Sequence, residues 1–440
     1  MPSPTVVLLP MWAPGHFSSM LQAGRRLLLR GAGAAVFTLT ALAIPSPALA
    51  SEAASSEVRC CEMASGDGID FRRLPAVEHR ADRPVNPSEY IRLYAPRVRE
   101  AIAGLSAPVA AVVIELFGTP LLDVAHDLAV PAYVYFASTG ATVALMLRLP
   151  AIHEEVAARL RERQGTVDVP GMPPVPVASA RGIVVNTAAA LEPGVLVAIA
   201  DGRCTPGDRA PPVYPISPVL SLKPRVVDDD RPPHECVRWL DGRPPASVMF
   251  LRFGSRGWMS AVQARESFLW VLRGPPAGSS LYQTDANIGD LLPDGFLERT
   301  KGKGLVWQSW DPEAEILAHA AVDGFVTHCG WNSILESLWH GVPMAPWPLY
   351  AEQPLNAFEL LRAVCTGRDG SFVEAAELER AVRSLMGGSE EGRKAREKGV
   401  EMKAACRNAV EEGGTSHAAT QRVVQDMLGS YLTQVPNTPD

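Results

Sequence analysis

The residues with the strongest chemical potential crowd into one run of 44, from Trp310 to Gln353. An apolar stretch at 324–327 leads into His328-Cys329-Gly330, and a helical pattern starts near Asn332 and stops at Gly341. A strand that turns through glycine into a helix aims free backbone N–H groups and the positive helix end at one place, which suits an anion. His328, Asn332, Ser333 and Glu336 add hydrogen-bonding and ionisable groups to that turn. A second candidate is His16, in the turn Ala-Pro-Gly-His at 13–16 after the apolar run at 5–9. A neutral imidazole near pH 7 is a competent general base. A blander reading makes Ser333 and Glu336 an S-x-x-E capping box, His328 a satisfied turn residue, and the tryptophans at 310, 331, 339 and 347 core. In that reading His16 is incidental. The concentration of His, Asn, Ser and Glu in a single turn weakens it.

These groups need a scaffold. Short apolar runs bounded by Gly, Pro or Asp occur at 109–114, 132–136, 182–186, 247–253, 268–272, 304–307 and 324–327, many of them separated by helical patterns. That alternation predicts doubly wound parallel α/β sheets. At the start of the chain the pattern reads strand 5–9, turn 13–16, helix 19–30, strand 34–40. Asp311-Pro312 predicts a helix opening, with Asp311 as N-cap and proline at the first helical position. The charged, Pro-rich stretch 222–235 reads as a linker. The expected organisation is a first domain over 1–221, a second over 236–428, and a tail over 429–440, with a cleft between two Rossmann-like domains.

Composition excludes other classes. The 440 residues carry 41 Lys plus Arg against 48 Asp plus Glu, net -7, so no basic field exists to hold nucleic acid. Seven cysteines, with Cys60 and Cys61 adjacent, make neither a disulfide framework nor a zinc pattern. The stretch 25–50, a basic pair, an apolar run and an Ala-x-Ala ending, imitates a secretory signal. It begins too late, and cleavage after Ala50 would destroy the first strand, helix and strand. Pro45 and Pro47 interrupt the one long uncharged run, which argues against a membrane span. A cytoplasmic monomer is expected.

The run 310–353 closely resembles the signature box of plant UDP-dependent glycosyltransferases acting on small acceptors, with THCGWNS, ESL, GVPM, WP and AEQ intact. Further similarity extends along nearly the whole chain, including GHFSSMLQAGRRLL, GIVVNT, RWLD and FGSRG. The resemblance implies the GT-B fold, with the acceptor held mainly by the first Rossmann-like domain and the sugar nucleotide by the second. It implies that Trp310 stacks on uracil and Glu336 accepts from both ribose hydroxyls. His328, Asn332 and Ser333, helped by Ser255, would hold the diphosphate. Asp311 and Glu313 would flank the uridine, and Glu352 and Gln353 would hold the sugar hydroxyls, with the Trp331 backbone nearby. A glutamine at the last box position goes with glucose in this family, and a histidine there with galactose.

The resemblance further implies an inverting transfer of glucose from UDP-glucose to a phenolic acceptor, with His16 as base and no metal or other cofactor. Phe117, Ser138 and Thr139 would line the acceptor pocket, whose choice between phenolic and lipid or terpenoid acceptors the sequence leaves open. Several departures stand out. The family orients its histidine with an aspartate, and here Glu115 occupies that place, one methylene longer. After the box tryptophan the family commonly has Ala-Pro-Gln, and here Asp311-Pro312-Glu313 follows. The chain is also shorter than the family near 263–270 and 360–372. These departures motivate an alternative, a UDP-sugar-binding relative with impaired catalysis.

Overall fold

A computed structural model describes residues 3–30, 37–47, 68–78, 86–161, 180–220, 233–253, 267–276, 283–285, 287–309, 311–363, 375–387 and 389–434. Trp310, Ser255, most of the expected linker, half of the shortened stretch 263–270 and most of 360–372 lie outside the described residues.

The chain forms two compact units, Met1–Val219 with Ala409–Asp440, and Leu220–Asn408. The division corrects the expected boundary at the C-terminus. Residues 409–428, assigned by sequence to the second domain, belong to the first unit, and the expected tail is helical as far as Gln434. The reason is packing. The helix Thr415–Gln434 buries Ala419, Val423, Val424, Met427 and Leu428 in the same core as Val6, Leu8, Tyr133 and Tyr135. Asp426 on that helix accepts hydrogen bonds from Tyr133 at 2.8 Å and Tyr214 at 3.0 Å.

In the first unit, strands β1 (Thr5–Leu9), β2 (Thr38–Ala43), β3 (Ile69–Arg73), β4 (Val109–Glu115), β5 (Ala132–Phe136), β6 (Gly182–Val185) and β7 (Val213–Pro215) form a parallel sheet in the order 3-2-1-4-5-6-7. The order reverses at β1 and β4, so the carboxyl ends of these strands form the switch point at which such sheets place ligands. Apart from Thr5 at the start of β1 and Glu115 at the end of β4, both strands read as apolar runs, as burial on two faces requires. The helix after β1 spans Pro14–Arg30, five residues earlier than expected, which sets His16 in its first turn rather than in a loop.

In the second unit, β8 (Val248–Arg252), β9 (Ser267–Val271), β12 (Gly304–Trp307), β13 (Val322–Thr327) and β14 (Met344–Pro346) form a parallel sheet ordered 12-9-8-13-14. A two-stranded hairpin, β10 (Arg273–Pro276) with β11 (Gln283–Asp285), stands apart. Strands β8 and β9 pair in parallel although the connection between them is short. Arg252 pairs in register with Thr327 at the ends of β8 and β13, directly beside the His328 turn. Among the described residues no helix is long and apolar enough to cross a membrane.

Candidate active site

In the first unit the geometry begins with Glu115, the last residue of β4. Its carboxylate is buried and makes two bonds: Oε1 lies 2.8 Å from His16 Nδ1, and Oε2 accepts from the Phe117 backbone N–H at 2.9 Å. The second bond caps the 3₁₀ turn Leu116–Leu121. That turn fixes the carboxylate, and the extra methylene of glutamate still reaches the imidazole. The carboxylate acts only as acceptor, so Nδ1 carries the proton and Nε2 is left as the basic nitrogen. The His16 side chain is 37% exposed against 1% for Glu115, as a base facing substrate and its buried support should be. The exposed Phe117 ring meets the imidazole edge-on at 5.3 Å between centroids.

The expected acceptor residues divide. Phe117 is exposed beside His16, and Ser138 holds a buried hydroxyl without a protein partner. Thr139 is fully buried and its hydroxyl is spent on the start of the helix Gly140–Arg161, where it accepts from the Thr142 N–H at 3.0 Å and lies 2.8 Å from the Thr142 hydroxyl. It is a capping residue, which corrects its placement in the acceptor pocket.

In the second unit, β13 runs into the His328–Gly330 turn and then the helix Trp331–His340. The helix cap is Gly330, which has no side chain to offer the first N–H groups. The S-x-x-E capping box therefore does not form: Ser333 lies inside the first turn rather than at the cap. The turn itself is tightly specified. Cys329 sits at φ +65, and its carbonyl accepts from Asn356 Nδ2 at 3.0 Å. A Cβ on Gly330 would lie 2.5 Å from His328 Nε2, so only glycine lets the imidazole pack onto the cap. Burial, reinforced by the nearby Arg252 charge, pushes the His328 pKa down to about 3. It is a neutral hydrogen-bonding group at physiological pH. Its Nδ1 is buried without a protein partner.

Asp311 departs from its expected role. The helix that follows begins at Glu313 and is capped by Pro312 without a side-chain bond. Asp311 instead accepts from Arg252 Nε at 2.9 Å, and Glu313 Oε2 lies 2.7 Å from the same guanidinium. Glu336 is near enough to feel both partners. Burial and the Glu313 charge hold its carboxyl well above the usual range, and burial raises Glu313 as well.

The sugar-side candidates sit at the start of the helix Gln353–Ala363. Gln353 is buried, and its Oε1 accepts from the backbone N–H groups of Leu349 and Tyr350 at 2.9 and 3.0 Å. Two donors on one oxygen fix the amide orientation and hold the loop that carries Glu352, which is partly exposed. The structure thus gathers Asp311, Glu313, His328, Ser333 and Glu336 near the carboxyl ends of β8 and β13. Sequence reasoning missed Arg252 and Asn356. A charged residue ending an otherwise apolar strand was the available signal for Arg252. Asn356 is a buried polar group on the inner face of a helix, and no motif flags it. Among the described residues no group of three His, Cys, Asp or Glu side chains is arranged to hold a metal ion.

Comparison with known proteins gives this geometry its context. A family profile described as UDP-glucoronosyl and UDP-glucosyl transferase matches residues 268–390. A malvidin galactosylase of Oryza sativa subsp. japonica is 50% identical over 489 aligned positions, covering 99% of this chain and 100% of the relative. That alignment is longer than the 440-residue chain, so the relative holds segments this chain lacks. An anthocyanidin 5,3-O-glucosyltransferase of a Rosa hybrid cultivar is 34% identical over 96% of this chain and 98% of its own. The solved structure of a Phytolacca americana glycosyltransferase with UDP-2-fluoro-glucose and pterostilbene superposes with a TM-score of 0.76 at 30% identity, over 97% of this chain and 100% of that one. The chain belongs to the UDP-glucoronosyl and UDP-glucosyl transferase family, as a plant-type UDP-glycosyltransferase of the GT-B fold.

Proposed function

We propose that the protein transfers a hexose from a UDP-hexose to a hydroxyl of a phenolic plant metabolite of the flavonoid or anthocyanidin class, with inversion to a β-O-glycoside. The observation that carries this reading is the 2.8 Å bond between His16 Nδ1 and Glu115, which leaves the ring's other nitrogen as base. His16 Nε2 removes the acceptor proton as the phenolic oxygen attacks the anomeric carbon. The new C–O bond forms on the face opposite the nucleotide, the bond to the diphosphate oxygen breaks, and the proton stays on the imidazole. Glu115 stabilises the resulting imidazolium and holds the ring in its tautomer.

The second unit holds the leaving group. The N-terminus of the helix Trp331–His340, capped by glycine, with neutral His328 and Asn332, receives the diphosphate charge, so the reading calls for no metal ion. Glu336 takes the ribose hydroxyls, while Glu352 and the Gln353 amide face the sugar. Ser255 and Trp310 complete the nucleotide contacts. Phe117 and Ser138 line the acceptor side.

Glutamine at position 353 supports glucose as the sugar. The name of the half-identical relative, a galactosylase, supports galactose. Purified protein with a phenolic panel and either UDP-glucose or UDP-galactose decides between them. Acceptor-dependent UDP release and a β-linked product are expected, and the preferred donor is the one with the higher kcat/KM. UDP binding without product from any phenolic would overturn the reading.

A further inference from the structure

Two residues that break the family pattern, Asp311 and Glu313, meet one buried cation. Arg252 reaches Asp311 Oδ1 with Nε and Glu313 Oε2 with one terminal nitrogen, at 2.9 and 2.7 Å, and the guanidinium is only 11% exposed. Both acids come from the same three-residue stretch, and the arginine comes from the strand end beside it. Two carboxylates at buried positions without a counter-charge would be strongly unfavourable, and an arginine without them would be as well. The three residues form one buried charge unit.

Each of these carboxylates uses one oxygen on the arginine. The second oxygens, Asp311 Oδ2 and Glu313 Oε1, are buried without partners, as is Glu336 Oε2. Native proteins seldom leave such acceptors unsatisfied, and three in one neighbourhood mark a place where donors arrive from a ligand. A uridine 5'-diphosphate group brings three N–H or O–H donors on its nucleoside: the uracil imide N–H and the two ribose hydroxyls. Glu336 receives the two ribose hydroxyls, which leaves the uracil imide N–H as the donor for the acids that Arg252 holds.

We propose that Arg252 is a positioning residue of the nucleotide site, holding Asp311 and Glu313 as fixed acceptors that join Glu336 in receiving the donor groups of the uridine. The proposal rests on the reading of the box as the nucleotide site. Arg252 touches no substrate and acts through the two acids. A lysine in its place keeps the charge and loses the planar fork that reaches both partners.

Calorimetric titration with UDP tests this on the full chain. Arg252→Met should weaken UDP at least thirtyfold, and Arg252→Lys about tenfold. The triple variant Arg252→Met, Asp311→Ala, Glu313→Gln, which removes the acceptors together with the arginine and so leaves no charge imbalance, should fold yet bind UDP about as weakly as Arg252→Met, a strongly non-additive cycle. Proton exchange on binding supplies a readout that a merely structural residue would not move. Without the guanidinium the acids hold protons more tightly, so Arg252→Met should release more protons on binding UDP, measured across buffers of different ionisation heat. If Arg252→Met does not accumulate as folded protein, the triple variant carries the test. A folded triple variant that binds UDP within about fivefold of the parent overturns the proposal, because the acids would then not be acceptors, and one that binds more weakly than that supports it. Arg252→Met that melts earlier but binds UDP within twofold of the parent would also overturn it. Failure of the parent protein itself to bind UDP would instead remove the functional reading beneath.

Discussion

His16 and Glu115 are 99 residues apart in the chain and joined by a 2.8 Å hydrogen bond. Adjacent parallel strands, β1 and β4, bring them together, with Leu9 in register with Ile114 one residue before the acid. Glutamate fills the place because its far oxygen is anchored on the Phe117 amide. Replacing His16 with alanine should lower kcat by about a hundredfold or more while UDP affinity stays within twofold. Glu115→Gln should cost about tenfold to a hundredfold through the wrong tautomer and ring angle. Full turnover by His16→Ala in an acceptor-dependent assay would remove His16 from the mechanism.

Glu336 gives a prediction in pH. Its carboxyl is held well above the ordinary range by burial and by Glu313, so the free protein keeps a proton there to higher pH than an ordinary carboxyl does. Only the carboxylate accepts from two hydroxyls, so UDP binding expels that proton. Affinity should therefore rise with pH from the usual carboxylate value upward and level off once Glu336 is ionised. Glu336→Gln should bind more weakly and lose this part of the dependence. The ionisation of UDP itself is common to both proteins, so parallel pH profiles would contradict the assignment.

For His328 the pKa shift runs the other way. Its pKa falls from 6.5 to about 3 on folding, so the unfolded chain binds the extra proton first as pH drops. Stability that is complete above pH 6.5 is lost between 6.5 and 3, by roughly a few kcal/mol for one buried imidazole. The raised carboxyls of Glu313 and Glu336 act in the opposite sense, stabilising the acid side and losing that contribution as pH climbs above 4.5. Denaturant unfolding of the parent and His328→Asn at several pH values isolates the histidine. The parent should lose ground to the variant as pH falls below 6.5, and a constant difference between them would refute the burial argument.

Much of this site was readable from residue order. A strand, a glycine turn and a helix are local events, so the position of the anion-binding turn follows from a few neighbours, and strands such as 132–136 and 304–307 fall where apolar runs predict them. What escaped was long-range. Asp311 looks like a helix cap because Asp-Pro is a cap signal, yet a buried arginine 59 residues earlier outcompetes the backbone N–H groups for its carboxylate. Thr139 looks like a pocket hydroxyl until Thr142 claims it. The last helix reads as a continuation of the second domain, since polarity and length do not say which core its apolar face joins.

Gln353 offers a test of how the sugar side is built. Its Oε1 binds two backbone N–H groups of the loop that carries Glu352. A histidine offers a single acceptor nitrogen, so Gln353→His loses at least one bond, worth about 1 kcal/mol, and loosens the loop. We expect kcat/KM to fall severalfold with either UDP-hexose and the donor ratio to move. Gln353→Glu keeps both acceptor contacts and should keep the loop, changing only the group offered to the sugar. Equal damage from both substitutions, read as kcat/KM for each donor, would show that the loop bonds are not the controlling feature.

The helix Thr415–Gln434 should be indispensable to the first unit even though it ends the chain. It contributes five fully or largely buried apolar side chains, Ala419, Val423, Val424, Met427 and Leu428, to the core around β1. At about 1.5 to 3 kcal/mol for each of the larger ones, their removal rivals the entire stability of a typical domain, about 5 to 15 kcal/mol. Deleting 415–440 should therefore leave a first unit that exposes Tyr133 and Tyr214 and aggregates on expression. A milder probe is Asp426→Ala, which leaves both tyrosine hydroxyls without their shared acceptor. It should lower stability by about 1 to 3 kcal/mol without altering UDP affinity, because the nucleotide contacts proposed above lie in the other unit. Denaturant melts and UDP titration of the two variants test this, and a truncated chain that remained folded and soluble would show that the first unit closes its core without the returning helix.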